Sequence, residues 1–182
     1  FMVLLLALPL SPANAQDAAK SPPVAAEKTA PDAALLEKAL KGDAGAQYEL
    51  GVAHGSGTKG APRDHRAAVK WFLKAAEQGH LDAQYDLGMF YLFSDDEDLR
   101  STAESARWFV KAAEQGHTGA QNAAASAYSS GQGVDKNDEE ALRWWRRAAE
   151  KKSAEAEFNI GYAYLTGEGV AADPVEALAW MT

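Results

Sequence analysis

The chain contains no cysteine. That single absence excludes disulfides, thiolate zinc sites and a cysteine nucleophile together. Positive charge is also scarce: 18 Lys and Arg stand against 26 Asp and Glu, a formal net charge of −8. Such a balance disfavours non-specific nucleic-acid binding and keeps an extended surface soluble. No apolar run approaches the ~20 residues that a membrane-spanning helix needs. A Gly-x-Ser-x-Gly elbow, a phosphate-binding loop and a zinc-hydrolase signature are all missing. His54 and His65 have no His or carboxylate at ligand spacing on a shared helical face. These absences nominate no catalytic residue, metal or cofactor, and the expectation is a protein that is not an enzyme.

What is present is a repeat. Trp71-Phe72-Leu73-Lys74-Ala75-Ala76-Glu77-Gln78-Gly79-His80 returns as Trp108-Phe109-Val110-Lys111-Ala112-Ala113-Glu114-Gln115-Gly116-His117, 37 residues on. Trp144-Trp145-Arg146-Arg147-Ala148-Ala149-Glu150 follows after 36 more, and Trp180-Met181 after another 36. A period in this range, made of helix-forming residues, marks a stacked helical array in which each unit packs on its neighbours. We therefore expect an all-α fold, an α-α superhelix (solenoid) of about four helix-turn-helix units.

Ahead of the array, Met2 to Leu10 is apolar and Ala13-Asn14-Ala15 fits a small-x-small cleavage site. Residues 1–15 thus read as a secretory signal truncated at its start. Residues 16–31, rich in Ala, Pro, Lys and Glu, read as a disordered linker. Asp32 is suited to cap a short helix carrying Leu35, Leu36, Ala39 and Leu40, which Gly42 ends; residues 32–45 are expected to cap the stack. The units then run 46–82, 83–119, 120–155 and, incomplete, 156–182.

Each unit is expected to hold two helices. The first begins near Ala46-Gln47-Tyr48-Glu49-Leu50-Gly51, with copies from Ala83, Ala120 and Ala156. Glycine inside a helix costs ~1 kcal/mol against alanine, so its recurrence at Gly51, Gly88 and Gly161 points to close approach of a partner helix. Gly79 and Gly116 end the second helices. Gly131-Gln132-Gly133-Val134 and Gly167-Glu168-Gly169-Val170 are turns suited to positive φ. The second helices start behind Asp64, Ser101, Asn137 and Asp173, all good N-caps. Glu104, Glu140 and Glu176, three residues further on, suggest the reciprocal capping box. Trp71, Trp108, Trp144 and Trp180 share one phase, which places them in the core between helices.

These features (Ala-x-x-x-Leu-Gly, Gly-x-Gly-Val, then Ala-x-x-Trp-aromatic-x-x-Ala-Ala-x-x-Gly) resemble the Sel-one-like repeats, a branch of the tetratricopeptide-like helical repeats. The resemblance covers Ala46 to the C-terminus together with the capping helix. It implies a right-handed superhelix of antiparallel helix pairs with a concave binding surface lined by the first helices. It implies adaptors that assemble protein complexes in bacterial envelopes, in secretion and signalling, and in eukaryotic ER quality control, with no catalytic motif to transfer. A cysteine-rich secreted branch is linked to penicillin-type ligands; this chain lacks its cysteines. Two departures stand out. Phe93-Ser94-Asp95-Asp96-Glu97-Asp98-Leu99 replaces the glycine turn of the second unit, and His54 stands where the other units have Tyr91, Tyr128 and Tyr164.

The expected function is a secreted or periplasmic scaffold binding a protein partner in its groove, without nucleic acid or a membrane span. The positions expected to be exposed for that partner are Gln47, Gln84 and Gln121, with Tyr48, Tyr85, His54, Tyr91 and Tyr128. Two charged stretches are further candidates: the acidic loop 95–98, and the basic Arg143, Arg146, Arg147, Lys151 and Lys152. The recurring His80 and His117 read as framework residues rather than ligands. Two other readings remain: an envelope protein that binds cell-wall glycan, or is hydrolase-like, through an aromatic platform; and an array that only spaces a domain beyond residue 182.

Overall fold

The computed structural model describes residues 32–182; the expected signal and linker lie outside the described residues. Among those residues there are nine α-helices and no strand. They are α1 (Ala33–Leu40), α2 (Ala44–Ser56), α3 (His65–Glu77), α4 (Leu81–Phe93), α5 (Thr102–Glu114), α6 (Thr118–Ser130), α7 (Asp138–Ala149), α8 (Ala154–Thr166) and α9 (Pro174–Met181). Helix α1 packs on α2, and the rest form four pairs, with the main packing between consecutive helices. The fold is thus the expected all-α superhelix.

The glycines of the first helices serve the close approach that their cost implied. A Cβ on Gly51 would lie 2.5 Å from the Phe72 ring, and one on Gly88 would lie 2.6 Å from Phe109. At Gly161 the obstacle is Met181, at 2.7 Å. The double alanines Ala75-Ala76 and Ala112-Ala113 are buried, which lets the next unit approach the helix backbone. Trp108 and Trp144 are buried to 1–2% exposure, whereas Trp71 and Trp180 are half-buried at the two ends of the array. In the last pair Phe158, Tyr162, Leu165, Val175 and Leu178 are exposed.

Second-helix caps form as expected: Asp64, Ser101, Asn137 and Asp173 each accept from a backbone N–H of the first turn. The reciprocal arm of the capping box does not form. The backbone N–H of each cap residue donates instead to a carbonyl at the end of the preceding helix: His54, Tyr91, Tyr128 and Tyr164, at 2.8–2.9 Å. With that donor already satisfied, Glu104 pairs with Arg107 and Glu140 with Arg143.

The first helices begin two residues earlier than the Ala-Gln-Tyr pattern suggested. Their caps are Asp43, His80, His117 and Ser153. His80 and His117 accept through Nδ1 from Ala83 and Ala120, and each stacks on a tyrosine of the preceding unit, Tyr48 at 4.6 Å and Tyr85 at 4.4 Å. The helix-ending Gly42, Gly79 and Gly116 lie at φ +86 to +95°; the third unit puts Lys152 there, at φ 61°.

Candidate functional site

The three glutamines expected on the surface are interior. Gln47, Gln84 and Gln121 are 4–5% exposed. Their amide nitrogens donate back to the second-helix carbonyls of Ala39, Ala76 and Ala113. Gln47 and Gln84 also accept from Gln78 and Gln115. Each of these carbonyls also accepts the N–H of the helix-ending glycine, Gly42, Gly79 or Gly116, so the amide adds a second donor where the helix runs out of its own. Their recurrence is explained by framework needs, and burial removes them from any surface.

The aromatic candidates are half-buried. Tyr48 donates to Asp86 at 3.0 Å; burial, then the Asp86 charge, pushes its phenol up to about 12. Burial is also the first cause raising Asp86 itself. Tyr85 packs between His117 and Phe109, and burial raises its phenol, as it does that of Tyr91. Tyr91 and Tyr128 pack against the core clusters. His54 sits 3.4 Å from the Pro62 carbonyl. Each of these last three also closes its unit's turn through its own carbonyl.

Most of the charged candidates are likewise engaged within the chain, Glu97 and Lys152 being exposed. Arg66 forks onto Asp96 and Asp98, and Arg63 lies 3.6 Å from Asp95. The Arg66 hydrogen bonds hold the Asp96 carboxyl below its ordinary value. In the third and fourth units the turn glycine does this docking instead. A Cβ on Gly133 would lie 2.0 Å from the Thr102 carbonyl oxygen, and one on Gly169 would lie 2.4 Å from that of Asp138. The acidic loop thus substitutes an ion pair for a glycine contact. On the basic stretch, Arg143 and Arg147 lie over the Trp144 ring at 5.3 and 4.8 Å, as Arg107 and Lys111 lie over Trp108 and Lys74 over Trp71. Burial and these cations leave Trp108 and Trp144 no open ring face for sugar stacking.

Concavities lie between α1 and α2, beside Asp32, Leu35 and Lys59, on α3 beside Trp71 and Leu73, and, adjoining one another, along the C-terminal halves of α2, α4 and α6. One pocket of about 370 Å³ is lined by Gly55, Arg63, His65, Met89, Phe90, Phe93, Ser94 and Asp95. A second, of about 350 Å³, has Met89, Leu92, Phe93, Ser105, Phe109 and Ala127 among its walls. Met89 and Phe93 belong to both, and Phe93 is 66% exposed, so the two pockets are adjoining halves of one groove across three units. Sequence reasoning missed these residues. The available signal was the row Val52, Met89, Ser126, Tyr162, whose members differ from unit to unit while the framework around them repeats.

Stacked helix pairs with short closing turns, a buried polar seam and an apolar groove define a helical repeat scaffold. The Sel1 repeat model matches residues 44–80, 81–117, 118–153 and 154–182, and the chain belongs to the Sel1 repeat family. These matches begin where the first helices begin, two residues before the boundaries expected from sequence. A protective antigen of uropathogenic Escherichia coli with the SLR fold is 36% identical, with a TM-score of 0.73 over 81% of this chain and 31% of that one. A Sel1 repeat protein from Oxalobacter formigenes is 35% identical, with a TM-score of 0.74 over 80% of this chain and 42% of that one. The chain therefore spans less than half the length of either solved relative. No curated protein sequence matches it. Sel1 repeat proteins generally mediate protein–protein interaction and are generally not enzymes. Among the described residues no helix is long and apolar enough to cross a membrane.

Proposed function

We propose that this chain is a secreted or periplasmic scaffold module that binds a segment of a protein partner along the groove across α2, α4 and α6. The observation that carries this reading is the pair of apolar pockets sharing the Met89–Phe93 wall. Adjoining pockets of this size accept neighbouring side chains of one segment, which is how a groove reads sequence without chemistry. Export is supported by the apolar run Met2 to Leu10 followed by Ala13-Asn14-Ala15.

The test is affinity capture from an envelope extract, followed by direct binding of the purified partner. The control bait carries Met89→Asp and Phe93→Asp. One protein retained by the wild type, released by the variant and rebound in purified form supports the reading. Equal retention by both baits, or retention of cell-wall material alone, overturns it.

A further inference from the structure

The first two units agree with each other at three positions where the third departs, and each departure is toward positive charge. Arg146 stands where they have Leu73 and Val110, Lys151 where they have Gln78 and Gln115, and Lys152 where they have Gly79 and Gly116. All three lie in the last turn of α7 or just past it, and all are exposed. Arg147 lies among them, at a position that is basic in all three units. A helix C-terminus favours cations, yet α3 and α5 end without any at the three divergent positions.

Two of the departures cost the fold something. Gln78 and Gln115 donate to the buried side chains of Gln47 and Gln84. Lys151 donates instead to the Gly116 carbonyl, and the buried side-chain oxygen of Gln121, the third of that series, is left without a partner. An unpaired buried acceptor forfeits its hydration without return. Lys152 holds φ 61° in place of glycines at φ 86° and 92°, a region that strains any residue with a Cβ. Local cost retained in a fold points to function. Here both costs install a lysine at one spot.

Nothing in the chain neutralises the four cations. Arg146 donates to the Tyr164 hydroxyl, Lys151 to its backbone carbonyl, and Arg147 lies over the Trp144 ring. Among the described residues none of the four joins an ion pair. Glu150 is the one acid within the stretch, and the chain as a whole carries a net charge of −8. The patch is also bounded, since residues 153–182 hold five acidic side chains and no Lys or Arg. A long, uniform polyanion lying here would run onto that acidic last unit and be repelled. A charge confined to a few residues would not.

We propose that this patch is a second contact surface, which docks a short acidic stretch of a protein partner. The arginines supply forked donors that match carboxylates, and the lysines add point charges. None of its residues lines the two groove pockets, so the proposal stands or falls apart from the groove reading.

The experiment titrates the chain at low ionic strength with a peptide of four consecutive glutamates flanked by Gly-Ser, following the amide signals of residues 146–152 by NMR. A matched peptide of four glutamines is the neutral comparison, and a short DNA duplex the polymer one. The glutamate peptide is expected to shift these signals, the glutamine peptide to leave them in place, and the duplex to bind less tightly than the glutamate peptide. A variant combining Arg146→Leu, Lys151→Gln and Lys152→Gly restores the residues of the first unit. It should melt above the wild type and bind the glutamate peptide about tenfold less tightly, the combined size of three exposed charge contacts. No shift, equal binding of the two peptides, or undiminished binding by the variant overturns the surface. Tighter binding of the duplex overturns the choice of a protein segment, and a lower melting temperature in the variant overturns the argument from cost.

Discussion

Down the end of α4 run Met89, Phe90, Leu92 and Phe93; at the same positions of α6 stand Ser126, Ala127, Ser129 and Ser130. The two units share their caps, their tryptophan and their buried glutamine, yet one presents a bulky ridge and the other a hollow. They differ again higher on the helix. Asp86 of α4 accepts from Tyr48, while the third unit has Ala123 there and so offers Tyr85 no carboxylate at that position. What repeats builds the stack, and what fails to repeat builds the surface. A variant at a shared position should therefore cost stability, and one at a divergent position should mainly change recognition.

Four measurements sharpen that contrast. The largest effect is expected at a shared position: Trp108→Ala should lower stability by ~3–5 kcal/mol, as a large-to-small change in a close-packed core. An unaltered thermal midpoint would mean that Trp108 is not the anchor its burial implies. Next come Gly88 and its third-unit counterpart Ala125. Propensity alone favours alanine by ~1 kcal/mol, but a Cβ on Gly88 meets the buried Phe109 ring at 2.6 Å. Gly88→Ala should thus cost about 1–3 kcal/mol through overpacking, while Ala125→Gly should cost only ~1 kcal/mol. A rise in melting temperature for Gly88→Ala would disprove the close-approach account.

The third measurement repairs a divergence. Lys152 holds a left-handed conformation, φ 61°, where the earlier units have glycine. Lys152→Gly should raise stability by about 0.5–1 kcal/mol, the relief of a strained side chain less the added freedom of the unfolded chain. A loss of stability would show that the Lys152 side chain makes a stabilising contact.

The smallest effect concerns pH. Burial raises the Asp86 carboxyl, so the folded protein holds that proton more tightly than the unfolded chain does. The stability from this group is present below the unfolded carboxylate value and lost as pH rises through the folded one. Asp86→Asn keeps an acceptor for Tyr48, so it should raise the melting temperature at pH 7, with the gain disappearing below the ordinary carboxylate range. A gain independent of pH would assign it to packing instead.

The stack was readable in the sequence because its determinants are periodic: the tryptophans, the glycines under Phe72 and Phe109, and the four second-helix caps all recur in phase. The first-helix starts were missed because histidine is an unusual N-cap; His80 and His117 each cap while stacked on a tyrosine of the preceding unit. The glutamines misled for a different reason. A recurring polar residue resembles a surface feature until the carbonyl it serves, eight residues earlier, is seen. The groove was illegible because periodicity averages away the residues that form it. Ser126 and Ser130 opposite Met89 and Phe93 carry no motif; their meaning depends on which neighbours the fold brings beside them.

The buried glutamines all reach backward. Gln47, Gln84 and Gln121 each bond a carbonyl only eight residues earlier, and the main helix packing joins elements adjacent in sequence. Other contacts run forward: Gln47 and Gln84 accept from Gln78 and Gln115, and Tyr48 donates to Asp86, so each unit is completed by its immediate neighbours on both sides. Local contacts of this kind favour rapid folding, and in such an array folding can start at any unit and spread to its neighbours.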